Sequence, residues 1–210
     1  MLGIRRSAVY HLGKKLYDAD RTVSGVMSLL VITSIFAVII SGVAYLLMQP
    51  KGLTLPMACL ALMTVPVKLI LVCSGGIFIG NVDFKRSNLQ VLRPLFIDLL
   101  GITLFVVLLK WSVNGALLAL FLANLIVSVM SLRYLSANYK IRISLDVEVI
   151  SSLAKIGVVY AIAVVIMQLN YRVDILLLHE LSAMKEVGYY SMGVAISDKL
   201  WQLPSAIGLV

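Results

Sequence analysis

A long run without any charged side chain, Thr22 to Pro50, constrains the fold of this chain more than any other feature of its sequence. A helix of roughly 20 apolar residues is enough to cross about 30 Å of hydrocarbon. Composition agrees, because 61% of the residues are hydrophobic and 13% are charged, against roughly 25% charged in soluble domains. These features exclude a soluble globular protein and predict an all-α integral membrane protein.

Further apolar segments raise the prediction to about six spans in a polytopic transmembrane helical bundle. The segments after the first are Gly52 to Val82, Leu89 to Lys110, Trp111 to Leu132, Val149 to about Leu178, and Val187 to Val210. A basic segment of about 20 residues precedes the first span, and the sequence ends within an apolar run. We therefore expect a fragment of a longer, transporter-like protein.

The distribution of Lys and Arg predicts the orientation of these spans. Alternate loops of the predicted topology, starting with the N-terminal segment, lie on the same side of the membrane. The three segments on that side hold eleven of the 18 cations: Arg5, Arg6, Lys14, Lys15, Arg21, Lys85, Arg86, Arg93, Arg133, Lys140 and Arg142. The intervening loops hold Lys51, Lys110 and Lys185. By the positive-inside rule the richer set, including the N-terminal segment, is cytoplasmic. The net charge of +8 then indicates a surface facing anionic lipid rather than nucleic acid.

Charged residues inside predicted spans are candidates for a transport site, because each costs roughly 2.5–3.5 kcal/mol on insertion scales. Lys68 lies halfway along the second span, where we expect it to line a hydrated cavity or to pair with a carboxylate. Arg172 and Asp174 interrupt the fifth span. On a regular helix they point about 200° apart, so either the helix is locally unwound or the two charges have different partners.

Two further sites carry charge in apolar surroundings. Asp198 and Lys199 lie near the middle of the sixth span, and they indicate either a substrate contact or an interhelical pair with Arg172 or Asp174. Asp98, five residues after Arg93, is expected to be an interfacial acid paired locally. No metal-ligand, P-loop or nucleophile motif is present in the sequence. We therefore predict no catalytic residue, no metal and no cofactor, and not an enzyme.

In the segment 140–155, apolar and polar residues alternate from Ile141 to Val149, which favours a strand by itself. A lone strand at a membrane surface has no partner for its backbone groups. We therefore predict an extended connector that leads into the fifth span.

The C-terminal third of the sequence resembles a known family. Arg172-Val-Asp-Ile-Leu-Leu-Leu, then Glu186-Val-Gly-Tyr-Tyr-Ser, then Leu200-Trp-Gln-Leu-Pro204 follow one another in order. This order resembles the seventh and eighth helices of polysaccharide biosynthesis flippases, of the multidrug/oligosaccharidyl-lipid/polysaccharide exporter superfamily. Upstream, the run that starts at Gly75-Gly76 and continues to Lys85-Arg86 resembles the family's cytoplasmic connection between helices four and five.

The resemblance implies part of a two-lobed alternating-access transporter, with this chain covering about helices three to eight. The implied organisation is a cytoplasmic basic segment (1–21), four helices of the N-terminal lobe (22–132), a cytoplasmic connector (133–148) and the first two helices of the C-terminal lobe (149–210). The implied function is the translocation of undecaprenyl-diphosphate-linked oligosaccharide units, of O-antigen or capsule, across the bacterial inner membrane. Arg172 and Asp174 are the implied cavity residues, whereas Lys68, Asp198 and Lys199 are candidates from the membrane cost alone.

The implied partners are a lipid-linked oligosaccharide, membrane lipids, a coupling ion (H⁺ or Na⁺) and the polysaccharide polymerase machinery. Three alternatives remain. A multidrug exporter of the same superfamily would be expected to use acidic cavity residues for cationic drugs, whereas the embedded charges here are mostly basic. A membrane-embedded glycosyl- or acyltransferase of the same pathway would need a long catalytic loop. A truncated reading frame would insert into the membrane without transporting anything.

Overall fold

The polypeptide is helical almost throughout the parts that the computed structural model describes, which are residues 2–48, 54–142, 146–181 and 184–207. The helices are α1 (Leu2–Gly13), α2 (Ala19–Met48), α3 (Leu55–Gly80), α4 (Phe84–Ile102, continued by a π-helical segment at Thr103–Leu108), α5 (Ser112–Asn138), α6 (Val147–Leu181) and α7 (Met184–Ile207). No strand occurs in those ranges. The predicted all-α polytopic bundle is confirmed.

In the part of the chain that the structure describes, five helices are long and apolar enough to cross a membrane: Ala19–Leu47, Leu55–Gly80, Phe84–Leu108, Ser112–Asn138 and Val147–Met167. Each overlaps one of the first five predicted spans, although the third begins five residues before its predicted start. The sixth predicted span lies in α7, which is not among these five helices. Polar residues around Asp198 and Lys199 lower the hydropathy of this helix.

The chain divides into two compact units, Met1–Ala161 and Ile162–Val210, and the boundary falls inside α6. The first unit contains α1 to α5 and the start of α6. The second contains the rest of α6 and α7. The backbone of α6 is helical through residues 170–174, so the alternative of an unwound helix at Arg172 and Asp174 does not apply to this structure.

Helix α1 lies within the segment predicted only as basic and cytoplasmic, and it packs into the first unit between α3 and α6. The backbones of these helices approach closely because glycines, which have no side chain, lie at the contacts. A Cβ added at Gly3 would lie 2.0 Å from the carbonyl oxygen of Gly157, and one added at Gly76 would lie 2.7 Å from the carbonyl oxygen of Arg5. Such small-residue contacts are typical of helix pairs in membranes.

A buried polar cluster fastens α1 to the beginning of α6. His11 is fully buried, and its Nδ1 lies 2.8 Å from the carbonyl oxygen of Ser7. Because a carbonyl can only accept, Nδ1 donates in this contact, and Nε2 lies 2.9 Å from the hydroxyl of Ser152. The hydroxyl of Ser7 in turn donates to the carbonyl oxygen of Leu153 at 2.8 Å. Each buried polar group in the cluster therefore has a partner in the neighbouring helix or turn.

The three basic loops meet at one end of the first unit. The guanidinium of Arg21, at the start of α2, lies 2.7 Å from the carboxylate of Asp146 in the connector before α6. At the same end, Arg86 of α4 lies 3.7 Å from the ring centre of Tyr134 near the end of α5. This arrangement agrees with the sidedness expected from the charge count, although which side of the membrane it faces stays a prediction.

The connector between α5 and α6 is non-helical over residues 139–142. Its backbone is satisfied by side chains of α2 rather than by a neighbouring strand. The hydroxyl of Ser24 donates to the carbonyl oxygen of Lys140 at 3.4 Å and accepts from the amide of Arg142 at 3.1 Å. A carboxylate oxygen of Asp20 accepts from the amide of Lys140 at 3.3 Å.

Candidate functional site

Two cationic clefts open on the first unit. The arginine–tyrosine cleft has a volume of about 540 Å³ and is lined by residues of α1, α3 and α6: Arg5, Arg6, Val9, Tyr10, Ile79 and Tyr160. The α4–α5 groove has a volume of about 430 Å³ and is lined by the end of α3, the connection to α4 and facing parts of α4 and α5: Phe78, Asp83, Lys85, Arg86, Leu89, Gln90, Arg93, Val127, Met130, Ser131 and Tyr134.

The arginine–tyrosine cleft combines positive charge with aromatic rings. The guanidinium of Arg6 lies 5.8 Å from the ring centre of Tyr160, within the range of a cation–π contact. Arg5, the preceding residue, packs its backbone on Gly76 of α3. Among the described residues, neither arginine takes part in an ion pair.

The depth of these arginines matters for their chemistry. At a rise of 1.5 Å per residue, Arg5 and Arg6 lie about 10–12 Å along α1 from Gly13, at the basic-loop end. The packing of α1 against α3 and α6 therefore carries two cations below the loops, beside helices that span the membrane. An anionic group that enters the bundle from the loop end would meet these two arginines.

The α4–α5 groove lies between two antiparallel helices. Arg86 and Arg93 are seven residues apart on α4, and they therefore lie on nearly the same face, about 10.5 Å apart along the axis. Arg86 also forms an ion pair with Asp83, the N-cap residue of α4, whose carboxylate accepts from the amide of Arg86. Partial burial pushes the pKa of Asp83 upward, but the hydrogen bonds from Arg86 outweigh it and hold the pKa below its ordinary value.

The structure leaves the five predicted site residues as predictions. Lys68 is exposed on α3, two residues after Pro66, and forms no ion pair with any described residue. Arg172 and Asp174 lie in α6, and Asp198 and Lys199 lie in α7. The side chains of these four lie outside the described residues.

Asp98 differs from its expectation. Helix α4 begins at Phe84, five residues before the predicted start of the span, so Asp98 lies about 21 Å along the helix rather than near its loop end. Its Oδ1 atom is buried and has no hydrogen-bond partner in the described part of the chain. The expected local pairing of this acid is therefore not found there.

Sequence reasoning missed Arg5 and Arg6 because they were counted as loop charges. One signal could have revealed the packed helix that carries them. Gly3, Ser7 and His11 recur every four residues, a spacing that places them on one helix face with small side chains near its start. That face is the one that contacts α6.

Comparison with known proteins identifies one family. The model of a family described as polysaccharide biosynthesis protein matches residues 14–207, nearly the whole chain. No curated protein and no solved structure matches this chain.

Proposed function

The chain belongs to the polysaccharide biosynthesis protein family, and on that basis we propose that it works as a flippase for lipid-linked oligosaccharides. The substrate would be an oligosaccharide repeat unit on undecaprenyl diphosphate, destined for O-antigen or capsule. The protein would carry it across the bacterial inner membrane by alternating access, with its basic loops in the cytoplasm. A proton or sodium gradient would drive the cycle.

One observation carries this proposal: the family match extends over a chain that is built almost wholly of membrane-length helices. The longest connection between helices runs over residues 139–146. A connection of that length does not hold a catalytic domain, so a role in moving the substrate is favoured over a glycosyl- or acyltransferase role.

The arginine–tyrosine cleft supports the same substrate class. Guanidinium groups bind phosphate oxygens in bidentate geometry, and Arg keeps its charge at any physiological pH. Arg5 and Arg6 are adjacent and have no ion-pair partner among the described residues. A diphosphate offers two anionic groups to them. The cations that line this cleft also favour an anionic lipid-linked sugar over the cationic drugs of the alternative exporter.

The test is a complementation assay in cells that lack the native flippase, in which the protein is expressed with Arg172→Ala. We expect insertion to be unchanged and surface polysaccharide to be lost, because Arg172, the cavity residue implied by the family resemblance, would no longer supply a positive charge for the diphosphate. Arg133→Ala is the matched control, since Arg133 is exposed on α5 and lines neither cleft. Normal polymer levels with Arg172→Ala would refute the assigned role of this residue.

A further inference from the structure

We propose that the α4–α5 groove binds the phosphate headgroup of an anionic phospholipid of the surrounding membrane. This inference does not depend on the transported substrate. It rests on the charge of the groove, on its rigid floor and on the apolar surface that continues beyond it.

The groove carries more cations than its single acid can neutralise. Lys85, Arg86 and Arg93 line it, whereas Asp83 is the only carboxylate in its lining and is already paired with Arg86. Lys85 and Arg93 are exposed and form no ion pair with any described residue. Two positive charges therefore remain available for an anionic ligand.

The floor of the groove is fixed by hydrogen bonds to α3. Gln90 is buried between Arg86 and Arg93, and its Nε2 donates to the carbonyl oxygen of Leu71 at 2.9 Å and to the hydroxyl of Ser74. Arg86 also stacks over the ring of Tyr134, which lies on the facing helix α5. A rigid seat of this kind loses little conformational entropy when a headgroup binds.

A membrane lipid fits this groove better than a soluble anion because of the depth of Arg93. The span Phe84–Leu108 is about 37 Å long, some 7 Å more than the hydrocarbon. With that excess shared between its ends, Arg93 lies about 10 Å inside the apolar region, and its long side chain reaches back toward the headgroups. Lipid phosphates surround the protein at the headgroup level, the level toward which this side chain extends.

The surface beyond Arg93 is suited to acyl chains. On the side of α4 that carries Arg93, two large apolar side chains further along the helix are more than 60% exposed: Phe96 and Leu100. A phospholipid seated by its phosphate in the groove would lay its chains along this surface. Basic pockets between transmembrane helices at a cytoplasmic face are an established way of recognising anionic headgroups.

The experiment measures the binding of a defined lipid to the purified full chain in a neutral detergent. Phosphatidylglycerol is titrated, with phosphatidylcholine as the zwitterionic reference, and the bound lipid is counted by native mass spectrometry. We expect phosphatidylglycerol to bind in preference to phosphatidylcholine. Arg93→Gln and Lys85→Gln should each weaken this binding about fivefold, since one cation near an anionic lipid contributes roughly 1 kcal/mol.

Arg133→Gln is the matched control. It also removes one positive charge near the basic-loop end of the bundle, on α5, but Arg133 does not line the groove. An equal loss with Arg133→Gln would overturn the proposal in favour of a diffuse surface field. Equal binding of both lipids would also overturn it. If millimolar inorganic pyrophosphate displaced the lipid, the proposal of a lipid site would be overturned, and the groove would be a site for a soluble anion or for the substrate diphosphate. A stable fold of each variant is checked by its melting temperature.

Discussion

Replacing Gly76 with Ala tests whether α1 is held against α3 by backbone contact. The new Cβ would lie 2.7 Å from the carbonyl oxygen and 3.1 Å from the Cα of Arg5, at least 0.7 Å short of the 3.4 Å of ordinary contact at the nearer atom. Both atoms belong to the backbone, so no side chain can rotate away. Helix α1 must withdraw by roughly 0.5–1 Å, which forfeits a quarter to a half of the dispersion energy of the affected contacts.

The matched control is Gly42→Ala on α2, where an added Cβ meets nothing within 4 Å. Both changes gain the same helix propensity, about 1 kcal/mol at most, so this contribution cancels in their comparison. Overpacking costs about 1–3 kcal/mol. We therefore expect Gly76→Ala to unfold more easily than Gly42→Ala by about that amount, or by about 2–12 °C in melting temperature for a chain of this length.

The assay is the thermal unfolding of both purified variants and the parent chain in one detergent. Gly42→Ala should melt at or above the parent temperature, and Gly76→Ala below it. If the two variants melted together, α1 would not be in close contact with α3, and the depth assigned to Arg5 and Arg6 would be wrong.

The pKa of Asp146 lies below its ordinary value, chiefly because its carboxylate accepts hydrogen bonds from Arg21. The ion pair with Arg21 therefore stabilises the folded protein fully above the unfolded pKa of about 3.9, and this stabilisation is lost as the pH falls through the lower pKa of the folded state. The melting temperatures of the parent and Asp146→Asn should therefore differ from pH 5 to 7 and converge in stronger acid. A difference in melting temperature that appears only on acidification would contradict this. Ser152→Ala leaves Nε2 of His11 without its hydrogen-bond partner and should destabilise the protein by about 1–3 kcal/mol in unfolding assays, whereas Ser151→Ala, at an exposed position, should not.

Hydropathy and charge were enough to predict five helices of membrane-spanning length and the gathering of the basic loops, but the sixth predicted span is not among the membrane-length helices. A helix that crosses a membrane must satisfy its backbone internally and present apolar side chains, so length and composition determine it. Lys68 shows the limit of that reasoning. The cost of burying a charge identifies it as unusual, but not which neighbour or cavity it faces.

The parts that could not be predicted depend on contacts between segments distant in the sequence. Arg5 and Arg6 belong to a basic run, and contacts such as the approach of Gly3 to Gly157 and of Arg5 to Gly76 show that this run packs into the first unit. Asp98 was predicted too close to the loop end because the helix begins at Phe84, five residues before its predicted start at Leu89. A boundary error of five residues moves a side chain by about 7.5 Å along a helix, which is enough to change its environment from interface to interior.

The double hydrogen bond of Ser24 fixes the register of the connector. One hydroxyl serves the carbonyl of Lys140 and the amide of Arg142, as a single residue of a parallel strand would serve positions two apart. In an extended chain, a shift of one residue turns these groups to the opposite side. An insertion or deletion at position 141 would therefore break one of these hydrogen bonds to α2, so we expect the length of the chain between Lys140 and Arg142 to be constrained.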